Sequence, residues 1–463
     1  MKVVTYDGEF FHADGGLKPP TFQPFDYDVN RLPGRAGVAH TRYATVGKTD
    51  PVSLDRNIQP VLSDRPAMAT CSNGDLVNIY SQTRRLMDQG FSFQSRVDSK
   101  VIQNTLIRHL ISSKTCKERA PETFASKLFE SVGAVMDELI GAYSTLTVME
   151  QGLLAFKDPH GIRPLCYACR KDESGRTVEW AFSSESSVFN YFGDYHGITE
   201  MQPGEAIFVP WDFDGREPFR KQIRNGGEKF CFFEFVYFAR PDSNFKNRYV
   251  EVARRDLGTV LAQEYAHLKD RFDVVCGLPG TGITTGMTFA SCLGLPYRQA
   301  IIKVGNKRSF QETSDEKRRK AIDDKFLFIR DFIDGQRIAI VDDSNVRGTT
   351  SKKIIERLYS LGAKEVYFLY FCPEIIGPCF YGIDTPDETR LIAFGKSSEE
   401  ITKEMGCDGV YYISHDGLIR GLGIARDGLC MACVTRSYPT DVTEARERVR
   451  HRLEERRDSG ARA

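Results

Sequence analysis

The run Ile338-Ala339-Ile340-Val341 is apolar at every position, where a half-exposed strand would alternate. It predicts a strand buried on both faces of a parallel sheet, a fold that needs helices on each side. The acidic pair Asp342-Asp343 therefore stands where a strand ends. Ser344, Arg347, Gly348, Thr349 and Thr350 follow, and then a segment whose Ile354, Ile355, Leu358 and Leu361 have helical spacing, with Gly362 suited to close it. Backbone N–H groups at such a helix start suit a phosphate, and two carboxylates beside them suit Mg2+ and sugar hydroxyls. The plain alternative is a surface Asp-Asp turn that caps a helix.

With 463 residues, two domains are expected. Lys plus Arg equals Asp plus Glu at 63 each, so charge gives no case for nucleic acid as partner. The N-terminal residues lack a signal-like apolar stretch, and no segment reaches the roughly 18 apolar residues of a membrane span. The expectation is a soluble, cytoplasmic protein with no membrane partner, whose 12 cysteines are thiols or metal ligands. Polar and glycine residues across 221–229 suggest a boundary. It separates a domain over 1–220 from one over 229–440, followed by a charged helix or tail over 441–463. Segments before the boundary are short and strand-like, such as Tyr143 to Val148 and Glu179 to Phe182. Those after it alternate: helix over 250–268, strand over 272–276, strand over 337–341, helix over 352–361, strand over 366–371. That order argues a doubly wound parallel sheet. Two further features each have a plain reading: Gly277-Leu278-Pro279-Gly280-Thr281-Gly282 as a tight turn, and Lys317-Arg318-Arg319-Lys320 as a solvated face.

The decapeptide Val341 to Thr350 resembles the phosphoribosyl-pyrophosphate (PRPP) loop of type I phosphoribosyltransferases, and in this wording that of the amidophosphoribosyltransferases. The stretch Cys231-Phe232-Phe233-Glu234-Phe235-Val236-Tyr237-Phe238-Ala239-Arg240-Pro241-Asp242-Ser243 resembles the latter family's own signature, although aromatic density alone would mean core packing. The resemblance implies PRPP contacts from Arg308, Asp342, Asp343, Ser344, Arg347, Gly348, Thr349 and Thr350. It implies Mg2+ at Thr281, Asp342 and Asp343, and a closing basic loop around Arg308. Gly280 stands where the family's pyrophosphate loop carries an acid.

Cys430-Met431-Ala432-Cys433 is a Cys-x-x-Cys pair that suits a redox motif, half a zinc site or coincidence. The resemblance adds Cys231 and Cys379 and implies a [4Fe-4S] cluster on these four thiolates; tetrahedral zinc accepts the same donors. Cys276, Cys292 and Cys372 lie in apolar settings and are expected in the core.

The first 220 residues resemble a class II glutaminase of the N-terminal-nucleophile sandwich type. The matches are His40 to Gly47, Ser72-Asn73-Gly74-Asp75-Leu76, Val97-Asp98-Ser99 and Asp158 to Leu165. The resemblance implies glutamine binding by Arg42, Thr45 and Asp98, with Asp98 on the α-ammonium, and an oxyanion hole from Asn73 and Gly74. Asn-Gly by itself also suits a hairpin turn. Such enzymes use an N-terminal cysteine as nucleophile. The first cysteine here is Cys71, beside the oxyanion motif, so the nucleophile is absent and the sandwich is expected to be incomplete at its start. A mis-set start is the favoured explanation. The implied activity is ammonia transfer from glutamine to C1 of PRPP, the first step of purine synthesis, by a homo-oligomer (dimer or tetramer). The rivals are a transferase limited to free ammonia, a non-catalytic PRPP sensor and a structural cluster protein.

Overall fold

The computed structural model describes residues 2–6, 10–14, 34–41, 58–93, 97–304, 325–385 and 387–458. Arg42, Thr45, Arg308 and the run Lys317 to Lys320 lie outside the described residues. The chain divides into two compact units, the first made of 1–230, 379–384 and 438–463, the second of 231–378 and 385–437. The stretch expected as one domain over 229–440 is thus interrupted by a segment that groups with the first unit, as does the tail from 438 onward.

The first unit is built on a six-stranded antiparallel sheet in the order Phe219–Gln222, Glu205–Pro210, Gly152–Lys157, Gly141–Met149, Ala67–Leu76, Val61–Asp64. Alternation along each strand sorts the side chains into two layers. Met68, Leu154, Phe156 and Phe208 share one core with Ile102, Leu106 and Leu110 of helix Asp98–Ser112 and with Phe124, Leu128 and Val132 of helix Pro121–Glu138. Ala69, Cys71, Val148, Ala155 and Ile207 face the other way. There they meet Val38 of strand Ala36–His40, and Leu165 and Tyr167 beside the sheet of Tyr195–Glu200, Cys166–Lys171 and Thr177–Ser183. Each large apolar side chain so enclosed contributes about 1.5–3 kcal/mol.

The second unit carries a four-stranded parallel sheet in the order Val274–Gly277, Arg337–Asp342, Glu365–Tyr370, Gly409–Tyr412. Ile338 and Ile340 pack with Ile354, Ile355 and Leu358 of helix Thr349–Ser360 on one face. On the other, Tyr367 meets Phe272 edge-on at 5.2 Å, and Phe272 lies 6.3 Å from Phe289 of helix Gly282–Leu293. Both faces are covered, which is why the run 338–341 does not alternate. The helix expected over 250–268 closes at Glu264, and Ala266–Arg271 continues as a 3-10 turn. Cys292 is exposed rather than in the core, because helix Gly282–Leu293 turns Phe289, Ala290 and Leu293 inward and Ser291 and Cys292 outward; Cys276 and Cys372 are buried as expected. Among the described residues no helix is long and apolar enough to cross a membrane.

Candidate active sites

In the second unit, strands Val274–Gly277 and Arg337–Asp342 are parallel neighbours with Gly277 opposite Val341, so the loops that follow them start side by side. Leu278 N–H donates to the Val341 carbonyl at 2.8 Å. A Cβ on Gly282 would sit 2.3 Å from that same oxygen, so only glycine allows the approach. The Thr281 hydroxyl donates to Asp343. Ser344 Oγ donates to Asp343 Oδ1 at 2.7 Å, and the Asp343 N–H to Asp342 Oδ1 at 2.8 Å. Thr281, Asp342, Asp343 and Ser344, separated in sequence, are therefore one polar cluster. The Pro279–Gly280 peptide is cis, and a Cβ on Gly280 would meet nothing within 4 Å.

Gly348 closes the loop at φ 71°, and its N–H face leads into helix Thr349–Ser360, which has no side-chain cap. Arg347, Thr349 and Thr350 are exposed there. This is the uncapped helix start that an anion can satisfy. Asn345 fastens the loop from below, its Nδ2 3.3 Å from Tyr412 Oη and 3.1 Å from Met405 Sδ.

Burial, and then the charge of Asp343, push the Asp342 carboxyl well above the usual carboxylate range. Burial also raises Asp343, against the hydrogen bonds from Ser344 and Thr281 and the charge of Arg254. Two desolvated carboxylates this close are relieved by a proton or by a cation. Two basic side chains that sequence reading missed face them. Arg254, on helix Val250–Glu264, donates to the carbonyls of Phe235 and Ala239 at 3.0 Å each, tying the aromatic segment to the acidic pair. Lys325 is held below the ordinary amine range by burial and by Lys303, with Asp342 and Asp343 opposing. Lys303 and Lys325 come together because Ile301–Lys303 pairs with Phe326–Phe328. That pairing bridges many intervening residues, so spacing alone gave no signal for Lys325.

In the first unit, Asn73 and Gly74 lie inside strand Ala67–Leu76, paired with Ser144 and Tyr143, not in a hairpin turn. Gly74 has φ 143°, and a Cβ there would lie 1.9 Å from the Ala142 carbonyl oxygen. Arg163 Nε donates to Asn73 Oδ1 at 3.3 Å. A guanidinium can only donate, so this bond fixes the amide with Nδ2 on the other side, 3.5 Å from Ser184 Oγ. Arg163 is buried, and its motif was noted without a role for it. Asp98 opens helix Asp98–Ser112, where its Oδ1 accepts the Leu76 N–H at 3.2 Å. Burial, followed by the charge and the hydrogen bond of Asp75, pushes the Asp98 carboxyl well above its usual range; Leu76 N–H and Arg448 oppose this. Burial pushes the Cys71 thiol up to about 12, which favours its protonated form over the thiolate a nucleophile needs.

Two segments from late in the chain complete this unit. Gly382 passes so close that a Cβ on it would lie 3.0 Å from Gly74 Cα. The Phe380 and Tyr438 rings meet tilted at 5.1 Å, and the hydroxyls of Tyr381 and Thr440 are 2.9 Å apart. Helix Thr443–Asp458 then sends Glu444 to the start of helix Ile79–Asp88, where it accepts the N–H groups of Tyr80 at 2.9 Å and Ser81 at 3.2 Å. One turn further on, the Arg448 guanidinium lies 5.8 Å from the Tyr80 ring centre.

Of the four expected cluster cysteines, Cys231 and Cys430 lie on paired strands, Phe230–Cys231 and Leu429–Cys430. Cys433 follows in the turn Ala432–Thr435, its carbonyl accepting the Ile376 and Gly377 N–H groups at 3.0 Å each. Cys379 falls in the 379–384 segment of the first unit, where its Sγ accepts the Tyr381 N–H at 3.3 Å. Among the described residues no group of three or more His, Cys, Asp or Glu side chains is placed to hold a metal ion.

A glutaminase-like sandwich joined to a parallel sheet with an uncapped helix start suited to an anion defines the class of two-unit amidotransferases. Residues 40–190 match the family model described as a glutamine amidotransferase domain. The chain is 36% identical over 454 residues to the amidophosphoribosyltransferase of Methanocaldococcus jannaschii, covering 95% of this chain and 91% of that protein. It is 34% identical to the Bacillus subtilis amidophosphoribosyltransferase, covering 95% and 88%. The solved glutamine PRPP amidotransferase from B. subtilis, complexed with ADP and GMP, superposes with a TM-score of 0.79 at 32% identity over 95% of this chain and 91% of that one. The chain belongs to the amidophosphoribosyltransferase family.

Proposed function

We propose that this chain transfers ammonia to C1 of PRPP, giving 5-phosphoribosylamine and pyrophosphate as the first step of purine synthesis. Glutamine hydrolysis in the first unit supplies the ammonia when the N-terminal cysteine nucleophile is present; without it the reaction runs on free ammonia. The reading rests above all on the joining of Thr281 to Asp343, which unites two loops at the ends of adjacent parallel strands. In the reaction the bond from C1 to the pyrophosphate oxygen breaks, its electron pair leaves with pyrophosphate, and the ammonia lone pair forms the new C–N bond. The 348–350 helix start holds the 5-phosphate, and Asp342 and Asp343 hold the ribose hydroxyls. Lys303 and Lys325 meet the charge that builds on the leaving group. Thr281, Asp342 and Asp343 offer hard oxygens suited to Mg2+, which when bound neutralises pyrophosphate charge.

In the first unit, Asp98 takes the α-ammonium of glutamine, and Asn73, fixed by Arg163, presents its Nδ2 to the developing oxyanion together with Gly74. The [4Fe-4S] proposal is supported by the family resemblance and by the pairing of the Cys231 and Cys430 strands. Visible absorption near the thiolate-to-iron bands of anaerobically purified protein, with iron and sulfide assays, tests it; a colourless protein with bound zinc would overturn it. Pyrophosphate release from PRPP is to be measured first with ammonia and then with glutamine. Release with neither refutes the transferase reading, and release with ammonia alone removes the glutaminase half.

A further inference from the structure

Helix Ile79–Asp88 does not cap itself. Its N-cap residue, Asn78, is of a type suited to the task, yet its side chain is drawn elsewhere: Nδ2 donates to the Glu138 carbonyl at 2.9 Å and Oδ1 accepts the Ile140 N–H at 2.9 Å. The Tyr80 and Ser81 amides are left to Glu444, whose Oε1 takes both while the Ser81 hydroxyl donates to Oε2. A carboxylate suits a helix start. The helix that brings this one, Thr443–Asp458, buries little on the way: between 442 and 451 only Val442 and Ala445 are buried, and Arg446, Glu447, Arg450 and His451 are exposed. Its base is fastened separately, by the contact of Phe380 with Tyr438 and that of Tyr381 with Thr440.

We infer that helix Thr443–Asp458 is a releasable strap that pivots on its fastened base, capping helix Ile79–Asp88 through Glu444 when closed and leaving that helix start to fray when open. Small buried side chains and solvent-exposed hydrogen bonds put a contact at the low end of local opening energies. The strand Ala67–Leu76, which carries Asn73 and Gly74, is separated from the capped helix by Val77 and Asn78 alone. Opening the strap therefore loosens the anchor at one end of that strand. The device regulates the order of the first unit's site; its functional side rests on the glutaminase reading, and the opening itself on the geometry of the strap.

The test is amide hydrogen exchange of the full chain, read by mass spectrometry on peptides over 79–88, 442–451 and the central strand Gly141–Met149. The first two are expected to exchange in parallel and faster than the third. Glu444→Gln should speed both about tenfold, the size of one charge-assisted contact. Ser81→Asp sets a second carboxylate in the same helix start, so it should speed exchange over 442–451 while the new acid keeps 79–88 protected. Exchange of 79–88 and 442–451 only as slow as that of Gly141–Met149 overturns the strap, because it would then open only with the whole unit. No change on Glu444→Gln, or unaltered protection of 442–451 in Ser81→Asp, overturns the part given to Glu444. No substrate enters the measurement, so its failure is distinct from failure of the glutaminase reading.

Discussion

The two units place their chemistry in opposite ways. In the second, the acidic pair, the serine and the phosphate-loop residues are consecutive, carried between one buried strand and one helix, and the neighbouring strand adds Thr281 through backbone register alone. In the first, Asn73, Asp98 and Arg163 come from separate elements, and segments from the far end of the chain press on them. A site strung along one loop survives changes elsewhere in the protein, whereas one assembled from scattered parts answers to each of them.

That contrast can be broken at several points. The largest effect is expected from Asp343→Asn, which removes the carboxylate that joins the two loops. PRPP turnover should fall about 100- to 1000-fold with ammonia and with glutamine alike, as for loss of one group preorganised for transition-state charge. A loss confined to glutamine would invert the assignment of the units. Next comes Gly74→Ala, where a positive φ and a 1.9 Å clash with the Ala142 oxygen act together. It should cost about 3 kcal/mol or more, read as a lower urea midpoint for the first unit. In a chain carrying the N-terminal cysteine nucleophile, Arg163→Met should lower glutamine-driven turnover about 30-fold through a misaligned Asn73 amide while ammonia-driven turnover holds. Equal losses in both assays would show that the first site is no more assembled than the second.

A smaller effect concerns pH. Asp342 and Asp343 hold protons more tightly when folded than when unfolded, because burial raises both. The folded chain then binds more protons, so stability falls as pH rises from the usual carboxylate range into the raised one. Asp343→Asn should flatten that fall in denaturation midpoints taken across the range, and added Mg2+ should oppose it. The smallest change is expected from Gly280→Asp. Its Cβ would enter open space, so stability should move by no more than about 0.5 kcal/mol, and a larger loss would mean that the loop is tighter than its geometry indicates.

The same contrast explains what could be read in advance. The strand, acidic pair and helix of the proposed PRPP loop were legible because burial on both faces, a strand end and a helix start leave local marks in composition. Asn73 and Gly74 were found by wording, yet Asn-Gly alone suited a turn; only pairing with Ser144 and Tyr143 places it inside a strand. Lys325 and Arg254 escaped notice because their partners lie far along the chain, and Cys292 was misjudged because its apolar neighbours occupy the opposite face of its helix. Nothing in the wording of 379–384 or 438–463 told that these residues group with the first unit.

That grouping has a consequence for how the protein is made. A ribosome delivers the first 230 residues long before residues 438–463, yet Glu444, which satisfies the amides of Tyr80 and Ser81, lies 364 residues after the first of them. The first unit therefore waits, unfinished at the start of helix Ile79–Asp88, until the second unit has been made. A polypeptide cut short before residue 438 would carry the loop of the second unit entire and leave the first unit incomplete, so the first unit cannot close on its own residues 1–230 alone.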